Sequence, residues 1–325
     1  MFSMTRIRAE LSQAWRESWP LMATVSLMLP AVAIALLGLL FVPRTITGAP
    51  AWLKPLKFAL STIIYAGSLA WLLRYLTVWP RLTRAAAWIT ATALVVEIAL
   101  IYLQAARGTM SHFNRTSPFD MAVFGIMGGM IALLWIASVT LALASFKQAF
   151  ENAAWGWVLR LGLLVTVAGS AMGGLMLPPG AEQTVSGTPV SGGHTVGAPD
   201  GTPGLPLVNW SRTHGDLRIP HFLGLHGLQA IPLLALAISR KRRLRTSTAV
   251  AVTVSYVSLI AILLVQALAG QSVADPGRAA TVALAVWAIA SAATIWWLRL
   301  TGHTDRPASA PRREHGATFT QARAL

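Results

Sequence analysis

Residues 87 to 108 read AWITATALVVEIALIYLQAARG, a run with one acid, Glu97, and no base before Arg107. A membrane span needs about 20 predominantly apolar residues, and this stretch supplies them. Seven more segments do the same, so the predicted spans cover 20 to 42, 56 to 78, 85 to 106, 121 to 146, 156 to 177, 221 to 239, 248 to 269 and 279 to 299. The expected fold is all-α: a polytopic integral membrane protein of about eight transmembrane helices, both termini cytoplasmic, in a cell membrane such as a bacterial inner membrane. Of the 325 residues, 55% are hydrophobic and 11% charged, whereas a soluble domain carries about a quarter charged residues. The apolar run of the first span exceeds a signal-peptide core, so a retained helix is expected.

The net charge of +15 raises the question of a polyanionic partner, but the bases fall between apolar runs and in the tails. With both termini inside, 18 of the 26 Lys and Arg residues lie on the cytoplasmic side. The RKRRLR cluster, Arg240 to Arg245, weighs most because it follows a span directly. The expected partner is the lipid bilayer, with no nucleic acid. The absence of cysteine removes disulfides, thiolate ligands and cysteine nucleophiles.

Residues 1–300 read as one membrane domain. Within it, 178–220 is a Gly-, Pro-, Ser- and Thr-rich stretch (PPGAEQTVSGTPVSGGHTVGAPDGTPGLP at its start), expected to be a flexible extracytoplasmic loop because such composition cannot bury enough apolar surface alone. Residues 301–325 read as a disordered cytoplasmic tail in which His303 and His315 are incidental.

Ionisable groups inside spans are functional candidates because they are costly there. Glu97 is the only acid well inside one, and Gln104 follows seven residues later on the same face; hydrogen bonding that fixes helix packing is the alternative role. The next loop carries Arg107, His112, Asn114, Arg115 and Asp120. Span six opens with GDLRIPHFLGLHGLQ, residues 215 to 229, bringing Asp216, Arg218, Pro220, His221, His226 and Gln229. Proline suits a helix's first turn, which places His221 at the interface and His226 about 7.5 Å deeper. Five residues turn about 140°, so His221 and His226 diverge rather than chelate one ion as an i, i+4 pair would. His226 and Gln229 share a face, and Pro232 predicts a kink just below them.

Lys54 and Lys57 open span two, where snorkelling to phosphate headgroups is the ordinary reading. LKPLKFAL set beside LRIPHFLGL aligns Leu53, Lys54, Lys57 and Phe58 with Leu217, Arg218, His221 and Phe222, a short sign of a 4+4 repeat. The glycines of Gly125/Gly129, Gly169/Gly173 and Gly224/Gly227 are expected to permit close helix contact.

The polar residues, with Gln266 near the outer end of span seven, gather in the outer half of the bundle, which predicts one outward-facing site. Four readings compete. The first is a b-type haem or divalent-metal site, with His226 and His112 as the axial pair, His221 in support, and Arg107 and Arg218 for the propionates. The second is a metal-dependent membrane hydrolase using His112, His221 and His226 with Asp120, Asp216 or Glu97, although no HExxH is present. The third is a small-solute or proton-coupled transporter using Glu97. The fourth is a cofactor-free accessory subunit. No Walker A, Rossmann or GxSxG motif supports soluble nucleotide or hydrolase chemistry.

Overall fold

The structure is a computed structural model describing residues 4–180, 183, 189–239 and 244–301. Arg240 to Arg243 of the basic cluster, and the 302–325 tail with His303 and His315, lie outside the described residues. Ten α-helices are described: α1 Met4–Glu17, α2 Trp19–Phe41, α3 Leu53–Leu73, α4 Pro80–Arg107, α5 Pro118–Lys147, α6 Ala153–Ala171, α7 Arg218–Leu225, α8 Gly227–Ser239, α9 Thr246–Leu268 and α10 Arg278–Thr301. Seven helices are long and apolar enough to cross a membrane, and α7 with α8 forms a bent pair that makes an eighth if counted as one span. This is the architecture of a multi-pass membrane protein, with the lipid bilayer as its surroundings. Leucines such as Leu29, Leu40 and Leu233 are exposed along the outside, where acyl chains replace water.

The bundle has two unlike ends. One, the loop end, carries the 42–52 hairpin, the 108–117 loop and residues 189–217. At the other end the polar helix α1, which the apolar pattern does not announce, docks on the end of α3: Arg74 pairs with Glu10 and also reaches Gln13 at 3.0 Å. Residues 189–217 are held by the helix ends and the 108–117 loop. His194 O accepts from Leu217 N at 3.0 Å, Met176 O from Gly193 N at 3.0 Å, and Pro189 O from Arg115 N at 2.8 Å. Strands β1 (Thr45–Ile46) and β2 (Ala49–Pro50) pair in the hairpin, and β3 (Thr195–Val196) pairs with β4 (Gly215–Asp216).

The bend in span six is 65° and falls at His226, between α7 and α8, whereas Pro232 was expected to set it and instead sits inside a continuing helix. The cause lies in the neighbouring helix. Gly224 and Gly227 lie so close to α6 that a Cβ on Gly169 would meet the Gly224 backbone, and one on Gly162 would come within 3.2 Å of Leu228 Cα. Thr166 of α6 then serves the groups freed by the break: its Oγ1 accepts from Leu228 N at 2.9 Å and donates to Leu225 O at 3.3 Å. Tyr256 OH donates to Leu223 O at 2.7 Å. Side chains that re-satisfy the backbone are what make a broken helix tolerable in hydrocarbon. Gly125 and Gly129, also expected to mediate packing, face open space.

A second internal match joins the one at Lys54 and Arg218. Ile98–Gly108 and Ile260–Gly270 share Ile, Ala, Gln, Ala and Gly at equivalent positions, and the two helix ends are built alike. Gln104 Nε2 donates to Met110 O and Gln266 Nε2 to Ser272 O, six residues on in both cases. Gly108 and Gly270 both take left-handed φ values, +77° and +72°. Their amides donate to Ala105 O and Ala267 O at 3.1 and 3.0 Å, so the same C-terminal cap closes α4 and α9.

Candidate functional site

At the loop end, α3 begins with Lys54 one turn before Lys57, α4 brings Glu97 up from the bundle interior, and the 108–117 loop folds His112 inward between them. Lys54 Nζ lies 3.1 Å from His112 Nδ1, and His112 Nε2 lies 3.3 Å from Glu97 Oε1. An ammonium only donates, so Nδ1 accepts and the proton of the neutral imidazole sits on Nε2, directed at the carboxylate. Ser111 Oγ, 3.0 Å from Nδ1, completes the surroundings. Burial first, then the Lys54 charge and the neighbouring imidazoles of His194 and His221, holds His112 well below the ordinary histidine range, consistent with a neutral ring. The result is a chain from ammonium through imidazole to carboxylate. Its inner oxygen, Glu97 Oε2, is buried without a hydrogen-bond partner.

Above this chain sits His194, which the sequence reading passed over among the glycines of its loop. Its Nδ1 is 2.5 Å from Asp200 Oδ2, and its ring packs on Phe113 at 5.1 Å between centroids. Burial lowers the His194 pKa despite the nearby carboxylate. Asp200 is held below the usual carboxylate range: burial works against that, and bonds from His194 and the His194 and Thr195 amides outweigh it. His221 Nδ1 donates to Gly169 O at 2.7 Å, and its Cε1 would lie 3.2 Å from a Cβ on Gly173. Among the described residues the hydrogen bonds of the His194 and His221 rings are made through Nδ1, whereas both nitrogens of His112 are engaged.

The remaining predicted residues divide into two groups. Asp120, in the first turn of α5 behind its N-cap Ser117, ties α5 to α4: its carboxylate accepts from Gln104 Nε2 at 2.8 Å, Arg107 at 2.5 Å and Ser117 Oγ at 2.6 Å. Asp216 accepts from Ser211 N at 2.7 Å and from Arg218 at 2.9 and 2.6 Å. These carboxylates are saturated by their own helix ends and serve as clamps. Lys57 Nζ and Arg218 then reach over the site to a strap, residues 203–211, donating to Val208 O at 2.8 Å and Asn209 O at 2.6 Å.

His226 belongs to neither group. It ends α7 with its ring edge-on to Phe222 at 4.5 Å. Gln229 N donates to His226 O at 3.1 Å, and among the described residues neither side-chain amide atom of Gln229 has a hydrogen bond. Among the described residues no three or more His, Asp or Glu side chains are grouped to hold a metal ion. The site is charge-balanced, with Lys54, Lys57, Arg107 and Arg218 facing Glu97, Asp120, Asp200 and Asp216. No protein family, curated protein or solved structure matches the chain.

Proposed function

We propose that the protein is a membrane transporter whose working step is coupled to protonation of Glu97, with the Lys54–His112–Glu97 chain as the proton's way in from the loop end. The observation that carries this reading is the continuity of that chain into a span, ending at a buried, unpartnered carboxylate oxygen. In the transfer, Lys54 gives a proton to His112 Nδ1 as His112 Nε2–H passes its own to Glu97. Lys54 becomes a neutral amine, Glu97 a neutral acid, and the imidazole stays neutral with its tautomer exchanged. Lys54 is then recharged from water at the loop end, and before the next transfer the ring loses its Nδ1 proton to water and regains one at Nε2, which restores the starting tautomer. The excess of bases at the opposite end supports an outward-facing site with cytoplasmic termini, and the paired matches Lys54/Arg218 and Gln104/Gln266 support a duplicated four-span unit. Transporters built from parallel repeats place their sites between the halves, and here the first half supplies Glu97 and His112 while the second supplies Arg218 and His221.

The test is infrared difference spectroscopy of the reconstituted protein during pH change. A buried carboxyl C=O band that titrates and vanishes in Glu97→Gln is expected. His112→Ala should keep the band but slow its appearance by about a hundredfold, the usual worth of a positioned proton-transfer group. A spectrum unchanged by Glu97→Gln overturns the reading.

A second reading is favoured by one observation: the Nδ1 atoms of His194 and His221 are fixed by a carboxylate and a carbonyl, the outer contacts typical of metal- or haem-ligating histidines. In that reading these two, not His112 and His226, hold a b-type haem or a divalent metal. Purified protein should then show a Soret band or stoichiometric metal that His221→Ala removes; a colourless, metal-free preparation that takes up neither added haem nor metal rejects it.

A further inference from the structure

Below Glu97, α4 continues a pattern that begins at its loop end. Gln104, Glu97, Thr90 and Thr83 recur at every seventh residue, and all four are buried. Seven residues are nearly two turns, so the four lie on one face with only about 20° of drift per step. Each step rises about 10.5 Å and the whole stripe about 31 Å, which matches the roughly 30 Å hydrocarbon thickness of a bilayer.

Thr90 is the informative member. Buried serines and threonines in membrane helices ordinarily bond back to the preceding turn, as Thr83 does to Trp79 O at 3.2 Å, Ser138 to Leu134 O at 2.9 Å and Thr253 to Ala249 O at 2.8 Å. The Thr90 side chain is fully buried and its Oγ1 has no partner. Packing does not require a hydroxyl there, since valine has the same shape. The matching positions of α9, aligned through Gln104 and Gln266, are Val252 for Thr90 and Leu259 for Glu97. The second half therefore builds the same helix without the polar stripe. Around Thr90 the helix is lined by Ala86, Ala87, Ala91 and Ala93, in a core shared with Tyr65 of α3. Tyr65 OH in turn meets Ser138 Oγ of α5 at 3.0 Å.

We infer that the buried stripe of α4 is the proton's transmembrane path, running from Glu97 through the Thr90 hydroxyl toward Thr83 and the opposite end of the bundle. Water is the co-reactant, since gaps of about 10 Å between stripe members need ordered water to bridge them. Glu97–OH releases its proton to the first water of the chain. Thr90 Oγ1 accepts a proton on one lone pair as its own hydroxyl proton passes onward, so the hydroxyl is regenerated. One proton leaves at the Thr83 end for each one Glu97 gives up. The inference rests on Glu97 as the proton acceptor, and the two fail separately.

The experiment uses the full chain in proteoliposomes with a trapped pH-sensitive dye and a potassium-diffusion potential to drive proton entry, alongside the infrared band of Glu97. Thr90→Val should cut proton flux by about tenfold or more and leave the Glu97 band in place, while Thr90→Ser restores the flux. Thermal unfolding of both variants reports whether the fold is intact, and Thr90→Ala replaces Thr90→Val if the latter is misfolded. Flux unchanged by loss of the hydroxyl, with the band present, overturns the path and leaves the role of Glu97 standing. A titrating band without proton flux in the unaltered protein also overturns the path. Absence of both band and flux overturns both readings.

Discussion

Lys57 and Arg218 occupy matched positions only loosely, since Arg218 aligns with Lys54 and His221 with Lys57, yet both reach the same strap. The strap needs holding. Leu207 and Asn209 have φ of +65° and +53°, a left-handed conformation that costs a non-glycine residue about 1–2 kcal/mol, and Leu207 points almost wholly outward. Two short backbone bonds, Leu205 N to Trp210 O at 2.7 Å and Asn209 N to Leu205 O at 2.8 Å, close the turn on itself, and the two cations fasten it to the helices. Lys57→Met removes one fastening while keeping the length of the side chain. The loss of a partly exposed bond should be about 1 kcal/mol, hence a roughly fivefold rise in local opening. Hydrogen–deuterium exchange over 205–211 checks it: faster exchange there, with α4 and α5 unchanged, is expected, and unchanged exchange would mean that Arg218 holds the strap alone. His194 shows why this level was only partly legible. Nothing in GGHTVGAPD distinguishes an imidazole fixed by Asp200 from an incidental loop histidine, because the pairing depends on a turn that only the folded loop makes. Glu97 was legible, since an acid inside an apolar run is conspicuous wherever its partners come from.

The glycine pairs separate what a helix sequence records from what it leaves open. Small residues at fourfold spacing permit close approach but do not say which face a neighbour occupies, so Gly125/Gly129 and Gly169/Gly173 look equivalent in the sequence. In the structure Gly169 meets Gly224 backbone to backbone, and Gly125 and Gly129 meet nothing. Gly169→Ala should therefore cost about 1–3 kcal/mol by overpacking, and part of the effect should appear at the break, because Thr166 and Leu225 must separate as α7 is pushed off α6. Gly129→Ala should be neutral or slightly stabilising, as alanine is the better helix former. Unfolding in mixed micelles compares the two, and equal effects would refute the close α6–α7 crossing. The same limitation explains the bend: Pro232 is the visible helix breaker, but the contact with α6 at Gly224 and Gly227 decides where the helix gives way.

For the whole molecule, composition was enough to find the seven long apolar helices and the bent pair that makes an eighth candidate span, because hydrocarbon imposes length and apolarity on each segment independently of its neighbours. The site was harder to read, since its members come from α3, α4, α7 and two loops, and their meeting is a property of the complete bundle. That dispersion also makes the loop end respond to acid as a unit. His112 is surrounded by Lys54, Ser111, Glu97, His194 and His221, and its pKa is depressed from the ordinary 6.5; His194, between Asp200 and Phe113, is depressed as well. A depressed histidine binds fewer protons folded than unfolded, so stability rises with pH through this range. The contribution of both rings is complete above about pH 6.5 and is lost as the pH falls toward their folded values. Asp200, depressed from 3.8, adds stability that disappears only below about pH 4. Thermal unfolding of the reconstituted protein should therefore decline as the pH falls below about 6.5. His112→Gln, which keeps a neutral donor and acceptor between Lys54 and Glu97, should flatten the upper part of that decline. A decline that His112→Gln leaves unaltered would show that this imidazole is not held neutral by the fold, and the proton chain through His112 would lose its tautomeric basis.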